Sequence, residues 1–215
     1  MRDKNTGNRA TLVRWLGLWG GNTRREALKA VFHDLEKRYH EPHRHYHTLR
    51  HLSRCLEELD GARSQADSPF EIELALWFHD AVYDPRRSDN EEASAGLAEE
   101  SLNGFIDGES LSRVTALILA TRHAGPPDTS DERLAADADL AILGSPPDEY
   151  REYEEAIRQE YSWAPEDGYR AGRARLLSRL LARPQIYYTG HFRQRYEERA
   201  RANLSRSISL LRGQG

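Results

Sequence analysis

The sequence is poor in cysteine and lysine and has no long apolar run. A single cysteine, Cys55, cannot close an internal disulfide. That excludes a disulfide-stapled scaffold and makes a reducing cytoplasm the expected location. No apolar stretch exceeds that of Leu74-Ala75-Leu76-Trp77-Phe78, far short of the ~20 residues that span a bilayer. The stretch from Thr11 to Trp19 carries Arg14 in its middle and lacks a small-residue cleavage ending, so it is not read as a signal peptide. A glycine-rich phosphate loop, a nucleophile elbow and a cysteine-nucleophile pattern are all missing, which leaves P-loop, serine-hydrolase and thiol chemistry without support. No stretch alternates with period two, so a sheet-based core is not expected.

What is present is a chain of 215 residues with four Trp and ten Tyr, enough for one domain with a buried core. Net charge is −4, too close to neutral to indicate a nucleic-acid partner. Its distribution is uneven: Pro165 to Gly215 holds eleven Arg, no Lys and four acids, a local balance of +7. Across the chain 28 Arg stand against three Lys, a bias that genome composition explains as easily as function does.

Helical periodicity runs almost throughout. Thr23-Arg24-Arg25-Glu26 reads as a capping box before Ala27, Leu28, Val31 and Leu35. A helix should begin near Thr48, carry Leu49, Leu52, Leu56 and Leu59, and stop at Gly61. Pro69 opens the next, with Ile72, Leu76 and His79 on one face, and Asp84-Pro85 follows it. Further helices are expected from Ser88 or Asp89, around Leu111 to Ile118, around Leu134 to Ile142, and from Tyr150 to Tyr161. Gly125-Pro126-Pro127 should close the second of these and Gly144 the third. Two more fill the Arg-rich end, split by Pro184 and Gly190. The expectation is an all-α single domain over 1–215, with a core at about 24–145 and a C-terminal helical extension at about 148–212.

Nine histidines are many for this length, and their placement matters more. His40, His43, His45, His47 and His51 cluster in "YHEPHRHYHTLRHL". His79-Asp80 ends one of the most apolar stretches, where an unpaired carboxylate is costly. His33-Asp34 is the same dipeptide inside a charged helix and reads as surface. His47 starts a helix whose stripe faces the core, and His51 stands one turn on, at a spacing by which two histidines can share a metal. Asp139 lies among Leu134, Ala138, Leu140 and Ile142; Asp137 is its rival, because the two cannot point the same way on a helix. Two imidazoles and two carboxylates suit one divalent ion: manganese, iron, cobalt, nickel, zinc or magnesium.

A histidine, then a His-Asp doublet, then an aspartate, each on a different helix, resembles the HD superfamily of metal-dependent phosphohydrolases. The matching pieces are "YHTLRHL", "WFHDAVYD" and "DADLAILG". The segments "EPHRHYH", "FHDAVYD…SDNEEASA" and "IYYT" are similar to those of an uncharacterised bacterial HD-domain group of about this length. The resemblance covers most of Tyr39 to Leu204. It implies an HD-like helical bundle in which His47, His79, Asp80 and Asp139 hold the metal. It also implies hydrolysis of a phosphate ester or anhydride of a nucleotide-like small molecule by metal-activated water. Where members binding two metals have a further histidine, this chain has Asn90 and Glu91, so one ion is expected. Asp84, Glu91 and His123 are the candidates for moving a proton or orienting phosphate or water; each also reads as an ordinary loop or helix-end residue. Arg44, Arg50 and Arg122 are candidates for holding substrate charge, or are surface arginines.

A phosphorylated small molecule is therefore the expected partner, with no membrane and no nucleic acid; a homodimer is an option for the oligomeric state. The alternative is a non-catalytic metal- and nucleotide-binding sensor on the same scaffold. A nucleic-acid role for Arg170, Arg173, Arg195 and Arg199 ranks third, because they lack the interleaved aromatic platform of single-strand binders although Tyr187, Tyr188 and Tyr196 are near.

Overall fold

A computed structural model describes residues 9–21 and 23–213. Among these it contains ten α-helices, two short 3-10 segments and no β-strand. The all-α class read from the sequence holds. No described helix is long and apolar enough to cross a membrane. The chain divides into two compact units, one ending at Ala138 and one beginning at Asp139.

The first unit holds α1 (Leu12–Gly17), α2 (Arg25–Tyr39), α3 (Leu49–Ala62), α4 (Pro69–Phe78), α5 (Asn90–Leu102), α6 (Gly108–Ala120) and most of α7 (Ser130–Leu140). Its centre is α4. Every residue from Glu71 to Phe78 is buried, as expected for a helix without a polar face. Helices α3, α5 and α6 pack around it. Trp77 meets Trp15 of α1 edge-on at 5.5 Å and Phe32 of α2 at 5.9 Å. The indole of Trp15 donates to Leu28 O at 2.7 Å, so a large ring is buried with its polar atom satisfied.

Burying α4 on all sides also buries two of its acids, and each has a cation. Arg113 grips Glu71 with two bonds of 2.6 and 2.7 Å, and Arg14 and Arg63 take the two oxygens of Glu73 at 2.6 and 2.9 Å. Such pairs lose several kcal/mol only when one partner is removed. The carboxylate of Asp131 accepts from Asp67 N and Ser68 N, both at 2.8 Å. It thereby anchors the first turn of α7 beside the start of α4, where free N–H groups attract an anion.

Local signals mostly set the helix starts. Thr48 caps α3, its hydroxyl accepting from Arg50 N, and Pro69 occupies the first turn of α4. Three expectations are corrected. The capping box at Thr23 does not form: α2 is capped by Arg24 with no side-chain bond, and Glu26 pairs instead with Lys29 at 2.8 Å. Gly61 does not stop α3, which continues to Ala62 because Leu59 and Ala62 are both buried. Helix α6 ends at Ala120, well before Gly125, where Thr121 folds its hydroxyl back onto Ile118 O at 2.7 Å.

The second unit holds a 3-10 turn (Ala141–Gly144), α8 (Pro147–Glu160), α9 (Glu166–Leu181) and α10 (Gly190–Leu211). Gly144 lies so close to α10 that a Cβ there would stand 2.5 Å from Tyr196 Cβ, which no side chain can meet without a shift. Asn203 donates to Leu143 O and Ser145 O, closing the same turn from α10. The arginines of this region are largely committed internally. Arg173 is buried against Glu154 at 2.6 Å and the Tyr153 hydroxyl at 2.7 Å. Arg199 binds Gly144 O, and Arg201 binds Leu181 O, Arg183 O and Pro184 O.

Candidate metal centre

Two helix ends build the site. The apolar stripe of α3 turns His51 and Cys55 inward at i and i+4, so both are buried, His51 with 3% and Cys55 with 0% exposure. Helix α4 ends in His79, whose N–H still bonds Ala75 O at 2.8 Å. The chain then turns at Asp80 with His79 only 2% exposed.

His79 Nδ1 lies 2.8 Å from Leu76 O. A carbonyl only accepts, so Nδ1 carries a proton and the neutral ring presents a lone pair at Nε2. That atom faces His51 Nε2 at 3.1 Å and Asp80 Oδ2 at 3.0 Å, and Asp80 Oδ2 lies 3.3 Å from His51 Nε2. Asp80 Oδ2 is buried and no hydrogen bond is aligned on it. Two acceptors, His79 Nε2 and Asp80 Oδ2, therefore face each other, with His51 Nε2 beside both. One shared proton satisfies one of these contacts, whereas a cation satisfies all three. Burial alone would push the Asp80 carboxyl up, but the imidazoles of His79, His47 and His51, when they carry the proton, outweigh it and hold it well below the ordinary range.

Helix α7 runs unbroken across the division at Ala138 and carries Asp139 one residue beyond it. His51, Cys55 and His79 of the first unit each offer a ligand atom within 4.8 Å of one another, a group able to hold a metal ion. Asp137, on the other side of α7, is fully buried.

Of the two α3-end histidines, the one that touches His79 is thus His51. His47 is half-buried, stacks on Tyr83 at 4.1 Å between ring centres, and stands 5.8 Å from the His51 ring. When it carries a proton it lowers the Asp80 carboxyl by charge. The sequence signal for His51 was its i+4 spacing from His47. The signal for Cys55 is the same spacing, counted from His51. Among the remaining histidines, His33, His40, His43 and His45 are exposed, and the His33-Asp34 dipeptide lies on the surface as expected.

The loop after the doublet is held from both sides. Arg44, 5% exposed, donates to His47 O at 3.1 Å, Asp80 O at 2.6 Å and Ala81 O at 3.1 Å, and pairs with Glu41 at 3.0 Å. It is a clamp on the backbone of two candidate ligands. Ser94 of α5 exchanges hydrogen bonds with Val82 N and Val82 O, Asn90 does so with Asp84 N and Asp84 O, and His43 donates to Tyr83 O at 2.7 Å. The Tyr39 hydroxyl, pushed up to about 12 mainly by burial, stays protonated and donates to Trp77 O at 3.2 Å.

The three candidate proton carriers sit in different surroundings. Asp84 accepts from Arg86 N at 2.9 Å in a tight turn. His123 follows α6 in a left-handed backbone conformation with φ 53°. Glu91 is half-buried in the first turn of α5. Burial pushes its carboxyl above the ordinary range; a backbone bond pulls it back in part, and the charge of Asp80 adds to the rise. Arg122 pairs with Glu92 at 2.5 Å, and Arg50 is exposed.

A carboxyl raised in the folded state adds stability that is complete below its unfolded pKa and is lost as pH rises through the folded value. The metal-free Glu91→Gln protein is therefore expected to melt no lower than wild type at pH 7 to 8. Its advantage should vanish below about pH 4.5. Thermal melts of both across that range check this; a variant less stable at neutral pH would contradict the burial-driven shift. No family model, no curated protein and no solved structure matches this chain.

Proposed function

We propose that the protein is a metal-dependent phosphohydrolase of the HD type, acting on a phosphate ester or anhydride of a nucleotide-like small molecule. The observation that carries this reading is the convergence of His51 Nε2, His79 Nε2 and Asp80 Oδ2 with the His79 proton committed to Leu76 O. The ordered "YHTLRHL", "WFHDAVYD" and "DADLAILG" segments add the resemblance to the superfamily. His51, His79 and Asp80 would hold the ion, with the His47 ring beside Asp80. A divalent ion bound there supplies Lewis acidity toward a phosphoryl oxygen and lowers the pKa of water.

The chain's own residues have distinct tasks. His79 keeps its Nε2 lone pair aimed inward through the bond to Leu76 O. Arg44 fixes the backbone of His47, Asp80 and Ala81. Glu91 is the preferred proton acceptor, because burial and Asp80 raise its basicity while the Asp84 carboxylate already serves Arg86 N. Arg50 is exposed and can meet substrate charge.

The test is a panel of nucleoside mono-, di- and triphosphates, cyclic nucleotides and inorganic phosphoanhydrides, assayed for phosphate release with each of the six ions. Turnover by wild type that is lost in Asp80→Asn, with the fold intact by circular dichroism, is the expected result. Full turnover in Asp80→Asn would remove this site from the reaction. Ion retention with no turnover on any member would favour the sensor reading.

A further inference from the structure

We propose that Cys55 is a ligand of the ion, binding as a thiolate beside His51 and His79. The proposal deepens the metal reading above and rests on it, though not on hydrolysis.

Cys55 is fully buried and one helical turn beyond His51, on the same face of α3. Its Sγ stands 3.7 Å from His51 Nε2 and 3.8 Å from His51 Nδ1. Donors on one tetrahedral ion, with sulfur at ~2.3 Å and nitrogen at ~2.0–2.1 Å, are about 3.6 Å apart. The sulfur is near that spacing and within 4.8 Å of a ligand atom of His79; because it stands almost equally far from both nitrogens of His51, a turn about the Cys55 Cα–Cβ bond brings it onto an ion at Nε2. A buried cysteine is often only a small apolar side chain. Here a second, independent observation marks the neighbouring space as a cation site: the buried Asp80 Oδ2, directed at the same two imidazoles without an aligned hydrogen bond.

On binding, the Cys55 thiol gives its proton to solvent and the sulfur lone pair forms the bond to the ion; no oxidant or reductant is involved. A sulfur donor changes which ion fits. Oxygen-preferring magnesium and manganese are disfavoured, and zinc or cobalt is favoured, because thiolate is a soft ligand.

The test uses the full tag-free chain, stripped of metal and titrated with cobalt(II). Cys55 is the only cysteine, so a thiolate-to-cobalt charge-transfer band in the near ultraviolet can come from no other residue. The expected result is such a band, complete at one cobalt per chain and lost in Cys55→Ser while cobalt still binds. Cobalt bound at one per chain without the band would overturn the proposal and leave the metal reading standing. No cobalt binding by wild type would overturn both. If Cys55→Ser fails to fold, the wild-type spectrum decides alone.

Discussion

Tag-free His79→Ala protein is expected to retain almost no divalent metal, where wild type retains close to one ion per chain. The imidazole supplies the central lone pair: its Nε2 lies 3.1 Å from His51 Nε2 and 3.0 Å from Asp80 Oδ2. Without it His51 Nε2 and Asp80 Oδ2 lose the donor on which they converge. Elemental analysis of both proteins, purified without nickel resin, reads the effect. Resin matters because the exposed His40, His43 and His45 form a loose cluster that can bind nickel on its own. The variant also leaves Leu76 O without its donor and opens a cavity, a cost of about 2–4 kcal/mol in stability. His79→Gln separates the two effects, since its amide can fill the space and donate to Leu76 O. It should keep most of the stability and still lose the ion. Equal metal in wild type and both variants would place any bound ion outside this site.

Arg44→Met is expected to cost about 2–5 kcal/mol in stability and to weaken metal binding about 10–100-fold. The guanidinium serves three carbonyls and Glu41 at once, and its loss leaves buried acceptors unpaired. Two of those carbonyls belong to His47 and Asp80, so the damage reaches the site through the backbone. Arg44→Lys should rescue little, because a single ammonium cannot span a forked set of acceptors. Denaturant unfolding of the metal-free proteins measures the first effect, and titration with zinc measures the second. Wild-type metal affinity in a destabilised Arg44→Met protein would show that the clamp serves the fold alone.

Much of the architecture is legible in local pattern. Leu52, Leu56 and Leu59 repeat at helical spacing and are all buried. Thr48 and Pro69 mark true helix starts because their effects act within one turn. Gly61 misleads because a glycine costs only ~1 kcal/mol inside a helix, and burial of Leu59 and Ala62 outweighs that. Arg44 was legible only as an arginine near a histidine cluster. Whether its guanidinium meets substrate or backbone depends on Asp80 and Ala81, 36 and 37 residues away.

By itself the sequence determines the all-α class, most helix positions and the set of residues from which a metal centre is drawn. These depend on spacing within one or two turns. The choice within that set belongs to the tertiary structure. His47 and His51 are four residues apart, but His47 precedes the Thr48 cap while His51 stands in the first turn of α3. Only the way α3 slides and rotates against α4 decides which nitrogen meets His79. That packing, set by buried Leu52, Leu56, Leu76 and Trp77, presents His51 and brings Cys55 with it.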